Sequence, residues 1–270
     1  METLMEFQPS DNIKAKKSLG QHFLTSVDIA RGVVEAGEVK EGDTVLEIGP
    51  GKGMLTKELL DTGATVVVIE KDTECIPYLV ETFDKEIAAG KLKVIPGDVR
   101  DFDDSLPFET PYKLVANIPY YITGEIIRTF LEREDRPTTI SLLVQKEVAD
   151  RIARSEKESL LSLSVKAFGT PKYVKTVKAG SFFPKPAVDS AILGIYDISG
   201  EFFKDLDEKV FFEVLHKAFG EKRKQIGKTL GDLISKEELP INPTTRPEDI
   251  SLSDWKNIVD KIAKLAKIAK

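Results

Sequence analysis

From residue 44 to about residue 144 the chain alternates short, strongly apolar runs with segments of helical spacing, and this alternation restricts the fold more than any other feature. Thr44–Ile48 and residues 65–69, 93–95, 113–116 and 139–144 are rich in Val, Ile and Leu and read as strands. Residues 54–61, 75–89 and 124–132 carry apolar side chains at helical intervals between them. Strand and helix in turn predict an α/β fold, a parallel sheet covered by helices on both faces. In such folds ligands bind where the strands end, at their carboxyl side.

Three features fall at those ends. The first strand runs into Glu47-Ile48-Gly49-Pro50-Gly51-Lys52-Gly53, which places glycines on alternate positions of a strand-to-helix turn. Glycine lets a ligand approach the backbone without a Cβ in the way. A glycine-rich turn alone is often only a tight turn. The second feature is Glu70, 21 residues after Gly49, where the next strand ends. A carboxylate there accepts hydrogen bonds from both ribose hydroxyls. The third is Asp98, an acceptor suited to an adenine amino group. Together they read as a site for S-adenosylmethionine, ahead of NAD, because the glycine spacing is Gly-x-Gly-x-Gly rather than the dehydrogenase Gly-x-Gly-x-x-Gly.

The fourth strand runs into Asn117-Ile118-Pro119-Tyr120. An amide oxygen and a backbone carbonyl, from Asn117 and Ile118, can accept both N–H groups of an exocyclic amine. That localises the nitrogen lone pair toward an electrophile. Pro119 fixes the turn, and Tyr120 offers a stacking face, worth roughly 1–3 kcal/mol per base. Positioning supplies most of the catalysis in such a scheme. Phe182, in Phe182-Phe183-Pro184-Lys185-Pro186, is the candidate for the second face of a slot for a base taken out of its stack, with Phe183 as the alternative and Phe182 then in the core.

Composition sets the surroundings. No apolar run approaches the roughly 20 residues that span a bilayer, and residues 1–10 lack the pattern of a secretory signal. With one cysteine, Cys75, and two histidines, neither an intrachain disulfide nor a structural zinc is expected. A cytoplasmic monomer that uses no metal and touches no membrane is the expectation. After residue 181 the pattern changes: Ser190–Tyr196 reads as a strand, and residues 210–219, 223–234 and 253–270 as helices. A boundary near Ser199-Gly200 divides a catalytic domain, 1–198, from a helical domain, 199–270. The net charge of -6 argues against a basic nucleic-acid binder. Residues 199–270, however, hold 14 Lys+Arg against 13 Asp+Glu, so the acidic excess lies in the first 198 residues.

Taken together, these motifs resemble the small-subunit (16S) ribosomal RNA adenine dimethyltransferases, the kasugamycin-sensitivity family. The resemblance runs from Lys16 to about Arg223. It rests on Lys17-Ser18-Leu19-Gly20-Gln21-His22-Phe23-Leu24, residues 47–53, 117–120, 145–152 and 182–190, and Ala218-Phe219 with Arg223-Lys224. It implies a Rossmann-like class I methyltransferase sheet with a small C-terminal all-α domain. It also implies dimethylation at N6 of two adjacent adenines in a loop near the 3′ end of small-subunit rRNA, within an immature subunit. The cofactor contacts it implies fall on His22, Leu24, Gly49, Glu70, Asp98 and Asn117; many bacterial members carry Asn in place of His22. Glu47 would reach the methionine end through water. The chain departs from the family in being acidic, so RNA contact is expected to concentrate on Lys16 and Lys17 of the N-terminal arm and on Lys222, Arg223 and Lys224. Three alternatives stand beside this reading: a large-subunit rRNA methyltransferase, a DNA adenine methyltransferase, and an assembly factor without catalysis. Phe-x-Pro-x-Pro with Val188-Asp189-Ser190 leans away from the first. Asn117, where DNA enzymes usually carry Asp, argues against the second, and the intact Glu70, Asp98 and Asn117 argue against the third.

Overall fold

The computed structural model of the chain describes residues 13–102, 111–221 and 224–268. Its strands are β1 (Phe23–Leu24), β2 (Thr44–Ile48), β3 (Thr65–Glu70), β4 (Leu92–Pro96), β5 (Lys113–Asn117), β6 (Thr139–Gln145), β7 (Thr170–Val177), β8 (Phe182–Phe183) and β9 (Ser190–Tyr196). Its helices are α1 (Val27–Ala36), α2 (Met54–Leu60), α3 (Cys75–Thr82), α4 (Asp84–Ala88), α5 (Thr123–Glu132), α6 (Lys146–Ala153), α7 (Leu160–Phe168), α8 (Glu208–Phe219), α9 (Ile226–Thr229) and α10 (Leu252–Ile268).

Seven strands form one sheet in the order β4-β3-β2-β5-β6-β9-β7. β2 to β6 pair in parallel, and β9 runs antiparallel to β6, with Ser141 opposite Gly194. The sheet is therefore mixed, where the alternation alone predicts a parallel one. The central strands read as continuous apolar runs because both their faces are covered: Val45, Leu46, Val66, Val68, Leu114 and Val115 are all fully or almost fully buried. Each such side chain contributes about 1.5–3 kcal/mol on burial. The segment 75–89, expected as one helix, breaks at Phe83, whose ring is buried against the first core. Cys75 opens α3, is fully buried, and donates its N–H to the Asp72 carbonyl at 2.9 Å. A separate ribbon pairs β1 with β8 antiparallel, Phe23 opposite Phe183 and Leu24 opposite Phe182. The sequence pattern does not foretell this ribbon.

Contacts divide the chain into two compact units, one ending at Ala149 and resuming over Lys172–Tyr196, the other made of Asp150–Pro171 and Asp197–Lys270. The second unit begins close to the expected Ser199-Gly200 boundary but also takes in residues 150–171. The reason lies in α7, whose Leu163 and Ala167 share a core with Phe211, Leu215, Trp255 and Ile258. A capping box starts α7: the Ser159 hydroxyl accepts from the Ser162 amide at 3.1 Å, and the Ser162 hydroxyl accepts from the Ser159 amide at 2.7 Å. Asp207 caps α8 through the Val210 amide. Of the stretch 223–234, expected to be helical, the described residues 224–234 form an α-helix only at Ile226–Thr229.

Candidate methyl-donor and base site

The strand order reverses between β2 and β5, and a ligand crevice is expected where those strands end. A pocket partly open to solvent lies there. It is lined by the turn after β2, by Glu70 and Asp98, by residues 117–122, and by residues 19–24 of the N-terminal arm.

The glycine turn is held to its neighbour by the Gly49 amide, which donates to the Ile69 carbonyl at 2.9 Å. Gly49 has φ +65°, and a Cβ there would meet nothing within 4 Å, so the turn presents bare backbone to open space. Gly51 has φ +56°, and a Cβ there would lie 2.9 Å from the Phe23 ring, which packs on the turn.

Three carboxylates face this pocket in three electrostatic states. Glu47 is 1% exposed and accepts from the Thr56 hydroxyl at 2.6 Å. Burial pushes its pKa up to about 8. Glu70 accepts from the Gly51 amide at 3.0 Å and from the Asp72 amide at 2.7 Å. Burial raises its pKa, and those backbone donors oppose the rise. Asp98 is ion-paired. Arg100 Nε and the Arg100 amide donate to one oxygen at 3.0 and 3.1 Å; Arg100 Nη2 and Lys71 Nζ reach the other at 2.6 and 2.9 Å. Arg100 above all, with Lys71, holds its pKa well below the usual carboxylate range. Asp98 is thus not the open acceptor the sequence suggests. Those four contacts fill a carboxylate's capacity of about four.

At the end of β5, Asn117 pairs in register with Leu143 and donates its Nδ2 to the His22 carbonyl at 3.1 Å. This leaves Oδ1 as the acceptor for a ligand. The Tyr120 hydroxyl shares a 2.7 Å hydrogen bond with the Ser190 hydroxyl. His22 stacks on Tyr120, the ring centroids 5.7 Å apart and the planes at 22°. The His22 ring donates Nδ1–H to the Pro184 carbonyl at 2.6 Å. Ile118 is buried. Leu24 lines the pocket from the arm.

Several expected sites are placed differently. Phe182 is 4% exposed and belongs to the core, whereas its neighbour Phe183 is 69% exposed. Successive strand side chains point to opposite faces, so with Phe182 in the core its neighbour Phe183 is the solvent-exposed ring of the pair. Lys16 is bound internally: its ammonium meets Asp72 at 2.6 Å and Glu74 at 3.1 Å. It is therefore not the free phosphate contact expected of it. Lys17 is exposed, and Lys224 is exposed and paired with Glu221. Lys222 and Arg223 lie outside the described residues. Sequence reading misses Thr56, Lys71, Asp72, Arg100 and Ser190. The last two residues of Val188-Asp189-Ser190 show what that motif does here: Asp189 holds Lys178 at 2.9 Å and the Ala179 amide at 3.0 Å, and Ser190 anchors Tyr120.

A sheet of this order, with a glycine turn at the reversal point and an acid at the end of the neighbouring strand, defines a class I methyltransferase. The sequence profile described as "Ribosomal RNA adenine dimethylase" matches residues 12–264, and the chain belongs to that family. A protein of Dehalococcoides mccartyi named "Ribosomal RNA small subunit methyltransferase A" is 38% identical over 94% of this chain and 90% of its own length. Two solved structures share the fold at a TM-score of 0.72. A dimethyladenosine transferase from Plasmodium falciparum is 24% identical, covering 91% of this chain and 98% of its own. The 23S rRNA methyltransferase ErmE is 22% identical, covering 89% and 99%.

The methyl donor is S-adenosylmethionine, and the pocket suits it. The bare Gly49 backbone leaves room for a chain of atoms, Glu70 offers a carboxylate to hydroxyls, and Glu47 is a buried acid that a cationic ligand would ionise. Among the described residues, no cluster of three or more His, Cys, Asp or Glu could hold a metal ion.

Proposed function

We propose that this enzyme transfers methyl groups to N6 of two adjacent adenines in the 3′-terminal loop of small-subunit rRNA, two methyls to each. The observation that carries the chemistry is the Asn117 amide, which lines the pocket and spends its Nδ2 on the His22 carbonyl, so that Oδ1 is left to accept. The name and 38% identity of the Dehalococcoides relative support the small-subunit substrate.

When bound, the donor supplies an electrophilic methyl on a sulfonium. Glu70 holds the ribose and the Gly49 turn admits the chain beside it, while Glu47 balances positive charge at the methionine end. On the other side, Asn117 Oδ1 and the Ile118 carbonyl accept the two amino hydrogens of adenine and turn the nitrogen lone pair toward the methyl. Tyr120, fixed by Ser190 and backed by His22, limits the position of the base. Phe183 is the exposed ring available to cover its other face. Were the donor bound, it would give up the methyl with its sulfur leaving as a neutral thioether, while these contacts would hold N6 toward that methyl and the amine's proton would pass to water. The scheme calls on no general base among the described residues, so its gain comes from orientation.

RNA contact is assigned to Lys17 and to the cluster at Lys222, Arg223 and Lys224 in the helical second unit, which would recognise an immature small subunit. A monomer working in the cytoplasm fits this role, and no helix among the described residues is long and apolar enough to cross a membrane. Labelled S-adenosylmethionine offered with unmethylated small subunits, large subunits or duplex DNA tests the substrate. Label is expected on small subunits, as two dimethyladenines; label confined to large subunits would overturn the reading. Changing Lys222, Arg223 and Lys224 together to Ala is expected to weaken small-subunit binding, and unchanged binding would remove them from the interface.

A further inference from the structure

Asp72 is fully buried and has no role in the scheme above, yet it links the two parts of the site. Its amide donates to Glu70 Oε1 at 2.7 Å, and the other Glu70 oxygen accepts from the Gly51 amide. Its own carboxylate faces the N-terminal arm. Oδ1 takes the Lys16 ammonium at 2.6 Å and the Glu74 amide at 3.1 Å, and Oδ2 takes Gln21 Nε2 at 2.8 Å. Gln21 completes a ring by accepting the Lys16 amide at 2.7 Å. The next residue along the arm, His22, carries the carbonyl that orients Asn117. One unbroken chain of contacts thus runs from the glycine turn through Glu70 and Asp72 to the arm and on to Asn117.

We propose that Asp72 is the positioning residue of the methyl-donor site: it clamps residues 16–24 over the pocket and thereby sets both Glu70 and Asn117. The inference rests on the reading of the pocket as a donor site. The arm's hold depends on this carboxylate, which takes both Lys16 and Gln21. The clamp also explains why Lys16, in a segment that looks like a phosphate-binding run, points inward.

S-adenosylhomocysteine binding, measured by calorimetry on the full chain, tests the clamp without any RNA. Asp72→Asn is expected to weaken binding at least tenfold while the ligand-free unfolding midpoint stays within a few degrees. Lys16→Met is expected to weaken it severalfold, Lys16→Arg to restore it, and the Lys16→Met/Asp72→Asn double variant to be no worse than Asp72→Asn alone. A second readout uses the arm itself. Residues 1–13 hold no Lys or Arg, so the first trypsin sites are Lys14, Lys16 and Lys17. S-adenosylhomocysteine is expected to slow cleavage there in the native chain and not in Asp72→Asn. If Asp72→Asn does not fold, Lys16→Met with Gln21→Ala, both at partly exposed positions, carries the same expectation. Binding within twofold of the native chain, or additive effects in the double variant, would overturn the clamp alone. Failure of the native chain to bind S-adenosylhomocysteine would overturn the donor reading and the clamp with it.

Discussion

Glu70 and Asp98 stand at the ends of neighbouring parallel strands, and both are acids facing one pocket, but their surroundings are opposite. Glu70 is sunk among backbone amides with its pKa raised; Asp98 is gripped by Arg100 and Lys71 with its pKa lowered. The β3 end is built before any ligand arrives: its donors are main-chain groups that a ligand does not displace. The β4 end is closed mainly by Arg100 and Lys71, side chains on flexible stems, with one main-chain amide beside them. The same residue class at the same kind of strand end therefore gives a rigid half-site and an adjustable one.

The largest effect is expected at the rigid half. Glu70→Ala should weaken S-adenosylhomocysteine binding about 100-fold, or about 3 kcal/mol, because it removes a charged acceptor and strands two buried amides. A loss under fivefold, by calorimetry, would break the contrast. Asp98→Asn should cost about tenfold, near 1.4 kcal/mol, since Asp98 already spends its acceptors on protein cations. Arg100→Ala should act in the opposite direction, tightening binding a few-fold by freeing Asp98; weaker binding would show that Arg100 holds the ligand rather than the acid. The smallest effect is in the pH dependence. Ionised, Glu70 is the stronger acceptor from hydroxyls, and its pKa is raised, so affinity should fall on acidification at a higher pH than for an ordinary carboxylate. Asp98 stays ionised across that range. Affinity measured against pH in Glu70→Gln should lose this limb. In folding, the signs also oppose. Raising the pH from the ordinary Glu value through Glu70's raised one works against the native state. Asp98's contribution is present above the ordinary Asp value and is lost as pH falls toward its lowered one.

What was legible in the sequence follows the same division. β2 to β6 could be read because strands buried on both faces are continuous apolar runs. β7 could not: Pro171, Lys172 and Lys175 break its pattern, as suits a strand at the edge of the sheet. The glycine turn, Glu70 and Asn117 were legible because each sits at the end of a readable strand. The partners that set their states were not. Lys16 and Asp72 are 56 residues apart, and Asn117 and His22 are 95 apart. Nothing local marks such pairs. Phe182 and Phe183 show the limit most plainly, because which ring is buried depends on how a two-residue ribbon pairs across the fold.

Cys75 sits at the foot of this arrangement, three residues beyond Asp72. Burial, with the nearby Glu70 and Asp72 charges, pushes its thiol up to about 12. A thiol is attacked as its thiolate, so alkylating reagents reach Cys75 only while the start of α3 is open. The chain thus carries its own stopwatch, at its sole cysteine: the labelling rate reports how often the donor loop comes undone, and how firmly a bound nucleoside holds it shut.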